Sequence, residues 1–260
     1  MAIRRIFKKR KVLWWTVLSF CVLLSVFVSH LWFTLPDVSP LKTQNPKRTA
    51  LMEIRAEMAQ KEQKDFIIQQ SWVSFEKIPQ LLKDTVRIAE DAGFYWHKGI
   101  DFEELKEAVK KNIQEKKFAR GGSTITQQLA KNLYLSPKKS LMRKSKEYLI
   151  ARRLEKNLSK ARIFELYLNV IELGPGIFGI QAASRHFFGC DVDELSLEEV
   201  VRLVAVLPRP LSEDPLGNSE WLNWRCRWLL HKLQLYGYIT EENYRKNVGK
   251  FETSIHTSKI

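Results

Sequence analysis

Length, composition and charge limit what this chain can be. Its 260 residues are enough for one large domain, or for one domain with a small appendage. Three cysteines, none at a metal-ligating spacing, exclude a disulfide scaffold and a cysteine-based metal site, although Cys190 and Cys226 could pair in an oxidising compartment. The formal net charge is +14, and its distribution decides what kind of partner it indicates.

The first predicted element is a membrane-spanning helix at residues 12–34, which contain no Asp, Glu, Lys or Arg. A run of this length matches the hydrocarbon thickness of a bilayer. The tail before it, residues 1–11, is basic, so the positive-inside rule keeps the tail in the cytoplasm and places the rest of the chain outside. Because the run is long for a signal peptide and residues 35–38 offer no small-x-small cleavage site, we expect an uncleaved signal-anchor.

After the anchor, Pro36, Pro40 and Pro46 mark residues 35–50 as a stalk. The following segments place apolar residues at helical spacing and show no sustained period-2 alternation. This pattern predicts a mostly α-helical domain at residues 51–210, with a helical C-terminal extension at residues 211–260. The predicted helices are residues 102–113, 124–134, 141–158, 163–170, 177–188, 197–206 and 221–235.

The positive charge is concentrated in residues 106–160, which hold sixteen Lys and Arg against four Glu. A basic segment of this kind indicates a local anionic partner. Nucleic acid is the usual partner of a basic patch, but a membrane anchor with an exported domain argues against it and leaves phospholipid headgroups or a phosphorylated substrate. For residues 106–117, a solvated helix face is the alternative.

A pair of carboxylates, Glu90 and Asp91, stands directly before the aromatic residues Phe94, Tyr95 and Trp96. Packing against aromatic rings removes water from a carboxylate, which raises its pKa and suits it to proton transfer near neutral pH. The alternative is an acidic pair that caps its own helix end, with the aromatic rings as ordinary core. The pair is therefore a candidate for acid–base chemistry.

Residues 120–124 form a glycine-containing segment that leads into a predicted helix. A helix N-terminus offers free backbone N–H groups and a partial positive charge to an anion. Ser123, Gln128 and Lys131 add a hydroxyl, an amide and an ammonium group. Ser123 or Thr124 must in any case cap the helix, so the open question is whether an anion also binds there.

Arg143 and Glu147 stand four residues apart and therefore share one face of a predicted helix. They could form an ordinary surface ion pair, which contributes little to stability. Alternatively, Glu147 could hold cations in place at a diphosphate site or bind a divalent metal. The spacing leaves these three interpretations open.

In this order, the segments resemble the motifs of the family 51 glycosyltransferases, the peptidoglycan transglycosylases of class A penicillin-binding proteins. The pattern Glu-Asp-x-x-Phe-x-x-His-x-Gly is matched by residues 90–99, and a second motif by residues 121–132. A third motif is matched within residues 143–155, and further similar blocks lie within residues 165–189 and 195–208. Five ordered blocks make the resemblance far more specific than any single motif would.

The resemblance implies a mostly α, lysozyme-like, two-lobed glycosyltransferase domain on a single transmembrane helix of the cytoplasmic (inner) membrane, with the catalytic domain outside. The implied reaction polymerises lipid II into β-1,4-linked glycan strands and releases undecaprenyl diphosphate. The implied partners are lipid II, the growing lipid-linked strand, membrane lipids and other cell-wall synthesis proteins. The residues after Pro210 are too few for a transpeptidase domain, so the implied enzyme is monofunctional.

By the same resemblance, Glu90 is the general base that deprotonates the acceptor's GlcNAc 4-hydroxyl, and Glu147 is the second catalytic carboxylate, near the diphosphate. No metal-ligating set is implied, and a Mg²⁺ or Mn²⁺ ion at the diphosphate is left open. Lys139 stands where the family more usually has Arg, which keeps the charge but loses the bidentate geometry. The implied substrate-binding residues are Ser123, Gln128, Lys131, Lys139 and Arg143.

Two other functions stay open at this point. A lytic transglycosylase or muramidase is also lysozyme-like and built around one Glu, but it would cleave glycan. A non-catalytic, membrane-anchored peptidoglycan-binding scaffold is the second alternative. The five blocks and the basic segment favour the synthetic enzyme, and the intact Glu90, Glu147 and Lys131 argue against a scaffold.

Overall fold

The computed structural model describes residues 14–23, 25, 26, 29, 33–101, 103, 106 and 122–252, in two compact units, Met1–Asp37 and Val38–Ile260. In the first unit, residues 14–23 are helical and exposed. The span predicted at residues 12–34 is thus described only in part. Within the described ranges, no helix combines the length and the apolar character needed to cross a membrane.

The second unit is built mainly of α-helices, as the sequence pattern predicts. Three 3₁₀ turns, Ser39–Lys42, Phe75–Lys77 and Gly249–Phe251, join or end the described segments. The described helices are α1 (Ala50–Lys61), α2 (Gln80–Glu90), α3 (Ile125–Tyr134), α4 (Leu141–Asn157), α5 (Lys160–Val170), α6 (Ile180–Phe188), α7 (Leu197–Ala205), α8 (Glu220–Leu235) and α9 (Glu241–Val248).

Most of these helices begin at a hydroxyl side chain that satisfies a backbone N–H of the first turn. The Thr124 side chain accepts from the backbone N–H of Gln127, and the Gln127 side chain accepts from the backbone N–H of Thr124, which together form a capping box. Ser196 and Glu199 form the same capping box at α7. Such caps explain why the starts predicted at residues 124, 141, 197 and 221 lie within one residue of those in the structure. The start predicted at residue 163 is three residues late, and α1, α2 and α9 were not predicted. Single caps of the same kind start α1, α4, α5, α8 and α9, at Thr49, Ser140, Ser159, Ser219 and Thr240.

The helix predicted at residues 177–188 is wrong at its beginning. Residues 177–188 were expected to be helical throughout, but Ile177–Phe178 forms a short strand, β3, and α6 starts only after Gly179. Gly179 has φ +83°, and a Cβ there would lie 2.6 Å from the carbonyl oxygen of Asn169, so the chain must turn at this glycine before a helix can form. The predicted helix at residues 102–113 lies outside the described residues, apart from Glu103 and Lys106.

Strand β3 belongs to a small three-stranded sheet that the sequence did not reveal. β1 (Gln69–Gln70) runs parallel to β3, and β2 (Glu172–Gly174) runs antiparallel to it, in the order β1-β3-β2. Strands of two or three residues are too short to show a period-2 pattern, which is why periodicity could not detect them.

The helices pack in two groups that bring distant motifs together. α3 packs against α1, α4 and α5, while α2 packs against α7 and α8. Ile125 and Leu129 of α3 and Leu82 and Val86 of α2 are buried in these contacts. The N-terminus of α3 consequently faces the C-terminus of α2, where the Glu90–Asp91 pair stands.

Part of the segment predicted as a stalk is held against α5. Val38 and Leu41 are buried, and the guanidinium of Arg162 donates to the carbonyl oxygens of Leu41 (2.8 Å) and Gln44 (2.9 Å). Backbone carbonyls engaged in this way fix the course of the chain. Residues 38–45 therefore pack onto the domain.

Candidate active site

Asp91 is a structural carboxylate that joins two of the sequence motifs. It is only 2% exposed, and its Oδ2 accepts from the backbone N–H of Ile125 at the start of α3, at 2.9 Å. His97 Nε2 lies 2.9 Å from Oδ1. Because the N–H of Gly99 donates to His97 Nδ1 (3.1 Å), the ring proton must sit on Nε2 and point to Asp91.

This arrangement predicts a large loss of stability when Asp91 is replaced with alanine. Two buried donors, the Ile125 N–H and the His97 Nε2–H, would lose their acceptor, at about 1–3 kcal/mol each. We expect the free energy of unfolding, measured by urea denaturation, to fall by about 3 kcal/mol. Asp193→Ala, at an exposed aspartate, is the control; equal stability of the two variants would contradict the structural role of Asp91.

Glu90, the neighbour of Asp91, points into a cleft and is largely desolvated. Its side chain is 12% exposed, Gln128 Nε2 donates to Oε2 at 2.9 Å, and Arg225 lies 3.7 Å from Oε1. Burial raises the pKa of Glu90, while the Gln128 hydrogen bond and the charges of Arg225 and Lys131 partly oppose that rise. A carboxylate with a raised pKa is suited to accept or donate a proton near neutral pH.

The aromatic residues that were expected to desolvate Glu90 behave differently from one another. Phe94 is buried and packs against Phe164, with ring centroids 5.3 Å apart. Tyr95 and Trp96 are exposed, Trp96 by 84%. Tryptophan side chains from α8, far along the chain, line the cleft beside Glu90 instead.

The amide of Gln128 is oriented by a buried tyrosine. Tyr167 is 1% exposed, and its hydroxyl donates to Gln128 Oε1 at 3.2 Å, so that the NH₂ group of Gln128 faces Glu90. Burial, together with the charges of Glu90 and Asp91, raises the pKa of Tyr167 well above its usual value. The phenol therefore stays protonated and remains a donor.

Glu147 is a buried carboxylate held by two cations rather than half of a surface pair. It is 3% exposed; Arg143 contacts Oε2 and Lys144 contacts Oε1, each at 2.5 Å. Lys144 also donates to Ser123 Oγ at 2.8 Å. Glu147 thus fixes a pair of cations next to the loop that carries Ser123, the arrangement expected of a site for an anion.

The contacts of Glu147 with Arg143 and Lys144 argue against a divalent metal ion bound by Glu147. A divalent cation bound by Glu147 would lie beside two positively charged side chains, which repel it. Both oxygens of Glu147 already accept from Arg143 and Lys144. The residues present do not fit a divalent ion bound by Glu147.

Lys131 lines the cleft, and its ammonium group interacts electrostatically with both Glu90 and Glu147. Burial lowers its pKa, while the charge of Glu147 and, more weakly, that of Glu90 raise it. Its ammonium group makes no hydrogen bond within the part of the chain that the structure describes. A partly desolvated ammonium group with unused donors is a strong binding group for an oxyanion.

These side chains meet in one cleft of about 1130 Å³. The predicted site residues Glu90, Ser123, Gln128, Lys131 and Lys139 all line it. Arg143 and Glu147 are not among its lining residues but connect to it through Lys144 and Ser123. The predicted loop residues 120 and 121 lie outside the described ranges.

The structure gives roles to residues that the sequence analysis did not single out, although Tyr167 lies within the similar block at residues 165–189. Arg225 contacts Glu90, and Tyr167 orients Gln128. Trp221, Trp224 and Trp228 line the cleft from α8. Their spacing of three and four residues places them on one helix face and could have been detected in the sequence. They lie outside the five similar blocks, so the motifs did not point to them.

The two cysteines outside the predicted anchor are not paired. Cys190 and Cys226 are both free thiols. Burial raises the pKa of Cys226 to about 12, so its thiol stays protonated and unreactive. The disulfide that the sequence left open is absent from the structure.

Comparison with known proteins gives matches that cover most of the chain. A family model described as "Transglycosylase" matches residues 57–234, a range that includes most of α8. The "Biosynthetic peptidoglycan transglycosylase" of Alcanivorax borkumensis is 41% identical and aligns over 84% of this chain and 87% of its own. The protein of that name from Nitrosospira multiformis is 37% identical and aligns over 84% of this chain and 94% of its own. Penicillin-Binding Protein 1A from Haemophilus influenzae, a crystal structure, matches 71% of this chain and 18% of its own at 18% identity, with a TM-score of 0.40.

Proposed function

Because the chain belongs to the transglycosylase family, we propose that it is a peptidoglycan glycosyltransferase that polymerises lipid II into β-1,4-linked glycan strands. One observation carries the proposal: a desolvated carboxylate, Glu90, and an ammonium group without a hydrogen-bond partner in the described structure, Lys131, line the same cleft. A proton acceptor and a binding site for an anionic leaving group are the two things this reaction needs.

In the proposed reaction Glu90 takes the proton from the 4-hydroxyl of the acceptor GlcNAc. The oxygen attacks C1 of the donor MurNAc, a new C1–O bond forms on the opposite face, and the α-linkage becomes β. The C1–O bond to the diphosphate breaks, and its electron pair leaves with undecaprenyl diphosphate. Lys131, Lys139 and the Arg143–Glu147–Lys144 cluster stabilise the negative charge that develops on the leaving group.

The proposal includes the membrane. The uncharged run at residues 12–34 and the basic tail before it support a single-pass anchor with its N-terminus in the cytoplasm. The lipid chain of the substrate and the released undecaprenyl diphosphate would stay in the same bilayer. The two-lobed, lysozyme-like arrangement and contacts with other cell-wall proteins belong to the proposal as well.

The testing experiment compares two substrates with the purified full chain. Labelled lipid II in detergent should give polymer that is retained on a gel, while lipid-free peptidoglycan should be left intact. A raised carboxylate pKa would also serve the general acid of a lytic enzyme. Soluble fragments from peptidoglycan, without polymer from lipid II, would therefore establish the lytic alternative. If neither fragments nor polymer formed, the non-catalytic scaffold would be the remaining interpretation.

A conservative variant tests how Glu90 is tuned. In Tyr167→Phe, Gln128 loses the hydrogen bond that orients its amide, so the donor that lowers the pKa of Glu90 is weakened. We expect the pKa of Glu90 to rise, and the acidic limb of the pH profile of kcat/KM to move to higher pH. Activity should recover at alkaline pH.

A purely structural role of the phenol hydroxyl gives a different profile. Loss of packing would lower kcat/KM by the same factor at every pH and would not move the limb. Tyr244→Phe, at a partly exposed tyrosine of α9 outside the cleft, is the matched control and should leave the profile unchanged.

A further inference from the structure

The wall of the cleft that α8 provides is rich in tryptophan. Trp221, Trp224 and Trp228 all line it, together with Arg225. Residues three and four positions apart lie on the same side of a helix, so the three indole groups form one stripe along the cleft. No step of the proposed reaction uses this stripe.

Only one of the three indole rings is open to a ligand. Arg209 stacks on Trp221 with its guanidinium carbon 4.4 Å from the ring centroid, and Arg225 stacks on Trp228 at 4.6 Å. Trp224 makes no ring or cation contact with any residue that the structure describes, and it is 51% exposed. An exposed indole ring that lines a cleft is available to stack on a ligand.

The position of Trp224 indicates which part of a substrate it would contact. Its neighbour Arg225 lies 3.7 Å from Oε1 of Glu90 and donates to the carbonyl oxygen of Ala89 at 3.2 Å. Trp224, Arg225 and Glu90 line the same cleft, whereas Arg143 and Glu147 are not among its lining residues. The exposed indole ring of Trp224 suits a ligand group with an apolar face.

A β-linked GlcNAc or MurNAc ring has such a face. Its substituents are mostly equatorial, so the axial C–H bonds form a flat apolar surface that can lie against an indole ring. Stacking of this kind does not require charge and tolerates movement of the ligand along the ring, as base stacking on aromatic side chains does.

We propose that Trp224 is a binding platform for a pyranose ring of the glycan, in the cleft that Glu90 lines. The inference rests on the proposed function and deepens it, since it assigns sugar binding to α8, which the catalytic motifs do not include. Trp224 takes part in binding only, and no bond is made or broken there.

The test measures kinetics with lipid II in detergent and calorimetric binding of the β-1,4-linked N-acetylglucosamine tetramer, using the full chain. Trp224→Ala should raise KM for lipid II and weaken tetramer binding by roughly tenfold, the size of one lost stacking contact. Trp224→Phe should restore most of both values. Trp96→Ala, at a tryptophan that is 84% exposed and outside the cleft lining, should change neither.

Two outcomes would overturn the inference. An unchanged KM in Trp224→Ala would show that the indole ring does not hold the substrate, whatever the tetramer does. If Trp224→Ala bound phosphatidylglycerol vesicles more weakly than the wild type but had an unchanged KM in detergent, Trp224 would be a membrane contact instead. Failure of the proposed function is distinguishable, because the wild-type chain would then produce no polymer, while the tetramer would still separate Trp224→Ala from the wild type.

Discussion

Replacing Glu90 with glutamine should abolish glycan polymerisation and leave the domain folded. The amide keeps the shape and the contact with Gln128, but it cannot take the proton from the acceptor hydroxyl. Loss of a general base lowers the rate by about 10²–10⁴-fold. The measurement is the initial rate of polymer formation from labelled lipid II, with Glu242→Gln, at an exposed glutamate of α9, as the control.

Stability measurements separate this effect from misfolding. The pKa of Glu90 is raised in the folded protein, so its contribution to stability is fully present below the unfolded pKa and is lost as the pH rises through the folded pKa. Glutamine is uncharged, so burying its side chain avoids the desolvation cost of the Glu90 carboxylate. At neutral pH, Glu90→Gln should therefore unfold at the same or a higher urea concentration than the wild type. Near-normal polymerisation by this folded variant would remove Glu90 from the role of base.

Replacing Lys131 with alanine should have the second largest effect, a loss of roughly 10²–10³-fold in kcat, the size seen when one preorganised donor to a developing charge is removed. Burial lowers the pKa of Lys131, so the charged ammonium group destabilises the folded protein. Removing the ammonium group should consequently not destabilise the domain. The kcat for lipid II and the urea midpoint are the two measurements.

Matched controls separate the site from the general basic charge of the segment. Lys156→Ala removes an exposed lysine of α4, and it should leave kcat within about twofold of the wild type, as surface substitutions do. Arg143→Ala should behave like Lys131→Ala in kcat, while Arg152→Ala, at an exposed arginine of the same helix, should behave like Lys156→Ala. Equal effects of all four substitutions would mean that the segment binds anions without a specific site.

The site lies where helix ends meet, and this explains why single motifs were ambiguous. Asp91 resembled a catalytic partner of Glu90, yet it binds the N-terminus of α3 and the ring of His97. Glu147 could have been a surface ion-pair partner, yet it is buried under two cations. In both cases burial, which depends on distant packing, decided between chemically similar alternatives.

The amino-acid sequence by itself determined the helical character, the boundaries of several helices and five of the polar residues that line the cleft. These follow from local rules: apolar spacing, hydroxyl caps and motif order act over a few residues. Only the tertiary structure decided how those residues are tuned. Gln128 reaches Glu90 across 38 positions of the chain, and Tyr167 reaches Gln128 across 39. The pKa of a carboxylate and the exposure of an indole depend on which distant groups exclude water from them, and no local pattern encodes that.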